Sequence, residues 1–310
     1  MTNKVSVIIP FLNEEENIPL LTEALSIFFS EEKGFLVEIL FVDDGSTDRS
    51  LSILKSSKHV NYGCRVISLS KNFGSHAALR AGIMHASGDY ICFMYADLQD
   101  PLALIDRLYE VCVGGADVCW ASRETSENSF FEKTFSKTYA YLMKKYAIAS
   151  YPEKGFDIVM FNKKVQLCLN QTIESNSSVF LQILILGFKQ SSISYKKESR
   201  KKGKSKWTLS KKIKLLVDSF IAFSYAPIRF VTLIGTTLFI IGLLWTGYII
   251  TRKLVYNDLE EGWPALISIL TIGFGITNIS LGIIAEYLWR TLDSARKRPV
   301  FIINEITDLS

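Results

Sequence analysis

The chain has 310 residues, which is enough for one large domain or two smaller ones. Hydrophobic residues make up 48% of the chain, and the formal net charge of +4 is too small to indicate a nucleic-acid partner. The five cysteines show no CxxC spacing, which argues against a disulfide framework or a cysteine-ligated metal and predicts buried free thiols in a reducing compartment.

The first part of the chain alternates short apolar runs with amphipathic stretches, a pattern typical of an α/β fold with a largely parallel sheet and helices on both faces. Ser46 and Asp100 are the predicted N-caps of two of the helices. The N-terminus lacks the apolar core of a signal peptide, so this part is expected to stay in the cytoplasm. The predicted strands are residues 5–11, 38–43, 65–69, 90–96, 118–121 and 156–161, and the predicted helices are residues 16–29, 46–56, 75–86, 101–113 and 131–146.

A basic segment follows at residues 196–214, with ten Lys or Arg residues and one acid, Glu198. It could be a solvated loop, a nucleic-acid patch or a membrane-facing phosphate clamp. We favour the clamp, because few aromatic residues are interleaved with the charges and anionic lipid attracts basic residues near a membrane. Residues 209–223 have one apolar helical face, which indicates a helix in the membrane interface; a surface helix packed on the globular domain is the alternative.

Two uncharged runs, residues 230–250 and 263–285, are each long enough to cross a bilayer core of roughly 30 Å. Basic residues flank the pair on both outer sides, and the linker carries Asp258, Glu260 and Glu261 against Arg252 and Lys253. The positive-inside rule therefore predicts a transmembrane hairpin with both ends in the cytoplasm. Small residues in the spans would permit close packing between subunits, which favours a homo-oligomer; they are Gly235, Gly242, Gly273, Gly275 and Gly282.

Two acidic runs follow predicted strands: VDDGSTD ends at Asp48, and YADLQDP ends at Pro101. The carboxyl ends of parallel strands form the ligand-binding edge of an open α/β sheet. Carboxylates there suit nucleotide hydroxyls and a divalent cation such as Mg²⁺ or Mn²⁺. Taken alone, the sequence Asp44-Gly45-Ser46 is nearly as well explained by a turn and a helix cap. Neither GxGxxG nor a Walker A sequence occurs, so dinucleotide and P-loop sites lose their usual support.

Together these pieces resemble glycosyltransferase family 2, which has a GT-A (Rossmann-like) fold. The resemblance rests on VSVIIPFLNEEEN, VDDGSTD, the stretch from Asn72 to Gly82, ASGD and ADLQDP. Later pieces resemble the branch that acts on polyisoprenyl phosphates, which contains dolichyl-phosphate mannose synthase and bacterial undecaprenyl-phosphate glycosyltransferases. These pieces are Ser122-Arg123, Gly155-Phe156-Asp157, RKKGKSK, FSYAP, EYLWR and Arg298-Pro299.

The resemblance implies roles for individual residues. The implied nucleotide-binding residues are Pro10, Leu12, Glu14, Asp43 and Asp44; Asp97 and Gln99 would hold the metal; Asp97 and Asp157 would be catalytic; and Arg123, Arg200, Ser205 and Lys206 would meet phosphate groups. Tyr95 departs from the family pattern, because many relatives carry an aspartate there and a phenol is neutral near pH 7. If the strand continued to Gln99, Asp97 and Gln99 would point the same way.

The resemblance also implies a reaction and a place in the cell. The expected reaction is inverting sugar transfer from a nucleotide-diphosphate donor, with UDP-glucose favoured, to undecaprenyl or another polyisoprenyl phosphate. It would serve surface-polysaccharide or lipid modification, with membrane lipid as a further partner, on the cytoplasmic face of the bacterial inner membrane. The alternatives are a saccharide acceptor and a non-catalytic membrane scaffold. The expected organisation is a catalytic domain (residues 1–207), an interfacial helix (208–228), the hairpin (229–289) and a cytoplasmic tail (290–310).

Overall fold

The computed structural model describes residues 2–124, 130–146, 148, 151–152, 156–172, 178–197, 262–295 and 299–309, with isolated positions between 233 and 255. The chain divides into two compact units. One comprises Met1–Ile213 together with Pro299–Ser310, and the other comprises Lys214–Arg298. The C-terminal residues therefore belong to the first unit, although the second unit separates them from it in sequence.

The first unit contains one eight-stranded sheet among the described residues, with the strand order β7-β5-β6-β4-β1-β2-β3-β8. Four of the seven neighbouring pairs are parallel, and strands β6 and β8 run antiparallel to their neighbours, so the sheet is mixed where the sequence predicted a largely parallel one. The strands are β1 (Lys4–Phe11), β2 (Leu36–Asp43), β3 (Gly63–Leu69), β4 (Tyr90–Phe93), β5 (Val118–Arg123), β6 (Phe156–Asn162), β7 (Gln190–Tyr195) and β8 (Ile303–Leu309).

Helices cover both faces of this sheet, as the alternating pattern predicts. Helices α1, α2 and α4 contribute buried side chains to the core on one face, and α3, α6 and α7 pack on the other. The helices are α1 (Ile18–Phe28), α2 (Ser50–Ser56), α3 (Ser75–His85), α4 (Leu104–Val113), α5 (Phe130–Tyr146), α6 (Lys163–Gln171) and α7 (Val179–Ile185).

Strand β1 shows how its sequence serves both layers. Val5, Val7 and Ile9 belong to the core cluster beneath α1 and α4, because alternate side chains of a strand point to opposite faces. Ile8 points to the other face and contacts α3 at Gly82, where any Cβ would collide with the Ile8 side chain. The glycine therefore lets α3 lie close against the centre of the sheet.

Several predicted boundaries need correction. Strand β4 ends at Phe93 instead of Ala96, although Met94 and Ala96 are buried. Neither predicted N-cap serves as one, because α2 begins at Ser50 and α4 at Leu104. The side chains of Ser46 and Asp100 instead make contacts with distant parts of the chain. Elements α6, α7, β7 and β8 had no counterpart in the sequence prediction.

The second unit contains helix α8 (Trp263–Ala295), which includes the second uncharged run and continues ten residues past its end at Ala285. Across the described part of the chain, no helix meets the length and apolarity required for a membrane crossing. The predicted interfacial helix, and nearly all of the first uncharged run, lie outside the described residues.

Candidate active site

The acidic residues Asp43 and Asp44 lie at the carboxyl end of β2, beside the end of β1, and both are buried. The Asp44 N–H donates to the carbonyl of Phe11 at 2.9 Å, so the two strand ends are held together. Asp43 accepts from the Ser46 N–H at 2.9 Å and from the Ser68 hydroxyl at 3.2 Å. This carboxylate therefore shapes the turn and joins β2 to β3 at the edge predicted to bind the nucleotide.

Asp44 organises the loop that leads into α3. Its carboxylate accepts from the backbone N–H groups of Phe73 at 2.8 Å and Gly74 at 3.0 Å. Burial raises the pKa of Asp44, the two N–H donors lower it, and the neighbouring Asp43 charge raises it, with a net upward shift. The loop after β2 and the loop that leads into α3 meet at Gly45, which has φ +71°. A Cβ on Gly45 would collide with the Lys71 backbone.

The loops after β1 and β2 are joined to each other by hydrogen bonds. Asn13 has a left-handed backbone with φ 51°; its N–H donates to the Ser46 hydroxyl at 3.0 Å, and its side-chain oxygen accepts from the Thr47 N–H at 2.8 Å. The Glu14 N–H donates to the Ser50 hydroxyl at 2.7 Å. The floor of the candidate nucleotide site is therefore built from two interlocked loops.

Asp48 also joins these two loops. One of its oxygens accepts from the Glu15 N–H at 3.3 Å, and the other accepts from the Ser50 N–H at 2.9 Å. The sequence alone does not predict these roles of Asn13 and Asp48. The signal that could have identified them is their position in two motifs, FLNEEEN and VDDGSTD, which follow the ends of two neighbouring predicted strands.

The other predicted nucleotide-binding residues lie at the same edge. Pro10 pairs with Val42 near the carboxyl ends of β1 and β2, and half-buried Leu12 follows β1 directly. The carboxylate of Glu14 accepts from the Asn17 side-chain amide at 2.7 Å. The structure therefore brings together all five residues of this predicted group.

The predicted metal residues Asp97 and Gln99 lie in a loop, which we call the Asp97 loop (residues 94–101). Because β4 ends at Phe93, the condition under which strand alternation would align the two side chains is not met. Leu98 has a positive φ of 53°, which turns the chain, and the Gln99 N–H lies 3.4 Å from an Asp97 carboxylate oxygen. Both side chains are half-buried at the carboxyl edge of the sheet.

The remaining predicted residues are described to different extents. Arg123 ends β5 and is half-buried. Asp157 lies near the start of β6, and because this strand is antiparallel, its start lies at the same edge as the end of β5. The side chain of Asp157 lies outside the described part of the structure, as do the whole residues Arg200, Ser205 and Lys206.

Residues 6–174, more than half of the chain, match the model of the family described as Glycosyl transferase family 2. The chain belongs to glycosyltransferase family 2. It is therefore a glycosyltransferase, as the motifs predicted.

Two relatives extend the match over the whole chain. A Proteus mirabilis (strain HI4320) protein named undecaprenyl-phosphate 4-deoxy-4-formamido-L-arabinose transferase is 30% identical over 310 residues, which cover 98% of this chain and 94% of that protein. An Escherichia coli (strain K12) protein named prophage bactoprenol glucosyl transferase homolog is 30% identical over 307 residues, which cover 98% of this chain and 99% of that protein.

The fold is also similar to that of a solved structure. Glucosyl-3-phosphoglycerate synthase from Mycobacterium tuberculosis, crystallised with Mn²⁺, uridine diphosphate and phosphoglyceric acid, aligns with a TM-score of 0.51 at 18% identity. The alignment covers 71% of this chain and 76% of that chain. At this identity the similarity concerns the fold, and it supports the GT-A-like α/β architecture.

Proposed function

We propose that this family 2 enzyme transfers a sugar, with inversion, from a nucleotide-diphosphate donor to undecaprenyl or another polyisoprenyl phosphate. The supporting observation is the extent of the two matches, which continue beyond residue 174, where the match to the family model ends. Both relatives are named for an undecaprenyl (bactoprenol) acceptor. Of the possible donors we favour UDP-glucose, and we expect the product to serve surface-polysaccharide or lipid modification.

The residues of the Asp97 loop fit a divalent cation shared with the donor. Asp97 and Gln99 offer one carboxylate and one amide oxygen, and Mg²⁺ in proteins is often bound by one or two carboxylates together with substrate phosphates. We therefore propose Asp97 and Gln99 as the residues that hold Mg²⁺ or Mn²⁺. Such an ion would neutralise charge on the departing nucleotide diphosphate.

The acceptor supplies its own nucleophile under this proposal. A phosphate monoester has a second pKa of roughly 6, so much of it is dianionic at neutral pH and can attack the anomeric carbon without a general base. The protein's task is then to hold that phosphate in line and to stabilise the leaving group. We assign phosphate contacts to Arg123, Arg200, Ser205 and Lys206, and the orientation of the acceptor complex to Asp157.

The proposed location is the cytoplasmic face of the bacterial inner membrane. Its support is the sequence: two uncharged runs, basic outer flanks and the basic segment immediately before them. We propose that the runs form a transmembrane hairpin which keeps the catalytic domain beside the lipid acceptor. The small residues of the spans favour association of several copies.

A transfer assay tests the proposal. The full chain in lipid nanodiscs is incubated with labelled UDP-glucose, undecaprenyl phosphate and Mn²⁺, and label is counted in the organic extract. Lipid-linked label is the expected result, and a panel of other nucleotide sugars identifies the preferred donor. Transfer to a saccharide only would replace the acceptor, and nucleotide binding without any transfer would support the scaffold alternative.

Variants assign the roles of the two proposed catalytic residues. Asp157→Asn is expected to lower turnover about 100-fold while nucleotide binding survives, because the acceptor complex loses its orientation, and near-normal turnover would remove this residue from the mechanism. Asp97→Asn is expected to weaken Mn²⁺-dependent nucleotide binding. Asp106→Asn is the matched control, because this carboxylate lies on α4, pairs with Lys33 at 3.0 Å and has no proposed role in metal or nucleotide binding.

A further inference from the structure

Asp100 follows Asp97 and Gln99 in the Asp97 loop, yet its side chain is almost completely enclosed. The residue is 3% exposed, and one carboxylate oxygen accepts from the Tyr195 hydroxyl at 2.6 Å. The same oxygen lies 3.5 Å from the Lys197 ammonium group. A carboxylate buried in this way is stable only with such partners, so its contacts are strong constraints on the loop.

The partners of Asp100 lie where the chain leaves β7. Tyr195 is the last residue of that strand and is itself 3% exposed. It pairs with Arg123 in the register of β5 and β7, and its carbonyl accepts from the Glu124 N–H at 2.9 Å. Lys197 lies two residues further on. Asp100 therefore joins the Asp97 loop to the end of β7, which is paired with the end of β5 at Arg123.

A second link runs in parallel. The Arg107 guanidinium group of α4 donates to the Ser194 carbonyl of β7 at 3.0 Å. Because α4 follows the Asp97 loop directly, the loop is tied to β7 at Asp100 and again one turn into the helix. A displacement of the loop relative to the end of β7 must break a charge-assisted hydrogen bond.

We propose that Asp100 is a positioning residue, which holds the Asp97 loop at a constant distance from the end of β7 and from Arg123. In the reaction, this would set the separation between the group that binds the donor diphosphate and a group that meets the acceptor phosphate. The consequence for the reaction rests on the proposed function. The mechanical link does not, since Asp100, Tyr195 and Lys197 form it within the protein itself.

Three variants of the full chain test this link. Tyr195→Phe removes the hydroxyl donor and keeps the ring, and Asp100→Asn keeps an acceptor oxygen but removes the charge that faces Lys197. Tyr62→Phe is the matched control, because Tyr62 is also a buried tyrosine, and its hydroxyl lies 3.1 Å from His59 Nδ1, away from the Asp97 loop in sequence. Hydrogen exchange measured on peptides that cover residues 94–101 reports the loop directly and needs no substrate.

Tyr195→Phe is expected to speed exchange in that peptide about ten-fold, whereas Tyr62→Phe leaves it unchanged. Unchanged exchange in both Tyr195→Phe and Asp100→Asn would overturn the proposal, and so would an equal increase in the Tyr62→Phe control. The wild-type transfer assay is a separate arm, so a failure of the proposed acceptor is seen there and leaves the exchange result interpretable.

The kinetic signature follows from the geometry. With UDP-glucose and undecaprenyl phosphate, Tyr195→Phe is expected to lower kcat between about 10-fold and 100-fold, with the KM for UDP-glucose changed less than about three-fold. Asp100→Asn is expected to lie between Tyr195→Phe and wild type. A fall in the fraction of folded protein alone would lower kcat and would speed hydrogen exchange in every peptide. It would not speed exchange selectively in residues 94–101.

Discussion

Tyr95 is the residue at which the sequence resemblance led us to expect an aspartate. It precedes Asp97 by two positions, is half-buried and packs against the core cluster on the α1 and α4 face. Its ring therefore stabilises the fold at the base of the Asp97 loop. A neutral phenol there leaves the candidate metal site with Asp97 as the carboxylate of the proposed pair.

Replacing this tyrosine tests whether the site needs a second charge. Tyr95→Asp is expected to lower the Mn²⁺ concentration for half-maximal nucleotide binding about ten-fold, because metal affinity rises with the number of charged ligands. It also costs about 1–2 kcal/mol of stability through lost apolar burial. Mn²⁺ titrations monitored by nucleotide binding measure the first effect, and thermal denaturation measures the second.

Tyr95→Asn separates charge from packing, because it loses the ring without adding a carboxylate. Equal Mn²⁺ dependence in both variants would contradict the prediction. If Tyr95→Asp created transfer activity that the wild-type protein lacked, the native chain would be a scaffold and the proposed function would be wrong.

Glu38 is a buried carboxylate near the amino end of β2, at the end of the sheet opposite the candidate site. Burial alone would raise its pKa, but hydrogen bonds from Lys4, Ser6 and Ser87 lower it to about 2. The Ser6 hydroxyl donates at 2.5 Å, the Ser87 N–H at 2.7 Å, and the Lys4 ammonium group lies 2.7 Å away. This network joins the beginnings of β1 and β2 to the turn before β4.

The lowered pKa of Glu38 predicts acid sensitivity. The folded-state pKa lies below the unfolded value of about 4.5, so the stabilisation is complete above about pH 4.5 and is lost as the pH falls towards 2. Its size is about 3 kcal/mol. Denaturation midpoints measured from pH 7 to pH 2 should fall less steeply for Glu38→Gln than for wild type; parallel curves would exclude Glu38 as the cause.

At the scale of elements, the sequence predicts strands that are buried on both faces and misses those that are not. Strands β1 and β2 are almost continuously buried, so their apolar runs are visible in the sequence. Strands β7 and β8 lie at the two edges of the sheet and alternate partly buried with exposed positions. Their pairing depends on β5 and β3, which no local pattern in QSSISY or INEITDL reveals.

The same limit applies to element ends. Met94 and Ala96 are apolar and buried, which made them look like strand residues. Burial does not require a strand, however, and the chain turns at Leu98. The predicted caps fail for a related reason. The Ser46 hydroxyl accepts from the Asn13 N–H, and the Asp100 carboxylate accepts from the Tyr195 hydroxyl. Both side chains therefore make tertiary hydrogen bonds instead of capping a helix.

The candidate site was predictable in its position but not in its construction. Carboxylates after two strands of a parallel sheet must meet at one edge, which placed Asp44 and Asp97 correctly. The partners of Asp44, the N–H groups of Phe73 and Gly74, are about thirty positions away and follow a different strand. Only the tertiary fold brings that loop to the carboxylate.

For the whole molecule, the return of the chain to its sheet is the least expected feature. Strand β8 pairs antiparallel with β3 and covers an edge that would otherwise expose unpaired backbone groups. Lys55 pairs with Glu305 at 2.7 Å, and Arg65 pairs with Asp308 at 2.6 Å. Residues 303–309 thus complete the sheet of the first unit, where the sequence predicts only a cytoplasmic tail.

Cys64 provides a chemical probe of this strand. It lies opposite Leu309 in the β3–β8 register and is 6% exposed. Burial, together with the nearby Asp308 charge, raises the pKa of its thiol to about 12, so the reactive thiolate is scarce at neutral pH. Removal of residues 302–310 would relieve both causes at once.

This truncation is therefore expected to speed labelling of Cys64 by a thiol reagent at least about ten-fold, measured by peptide mass spectrometry. Cys92 is the internal reference, because it is fully buried in β4 and should stay unlabelled while the sheet remains folded. Leu309→Ser provides a milder perturbation if the truncated chain is unstable, and it should produce a smaller increase at Cys64. Unchanged labelling of Cys64 in both variants, with Cys92 still protected, would show that β8 does not control access to this edge. A selective increase at Cys64 would show that the C-terminal strand β8 is paired with β3 in solution. The N-terminal and C-terminal parts of the chain would then belong to one cooperative sheet.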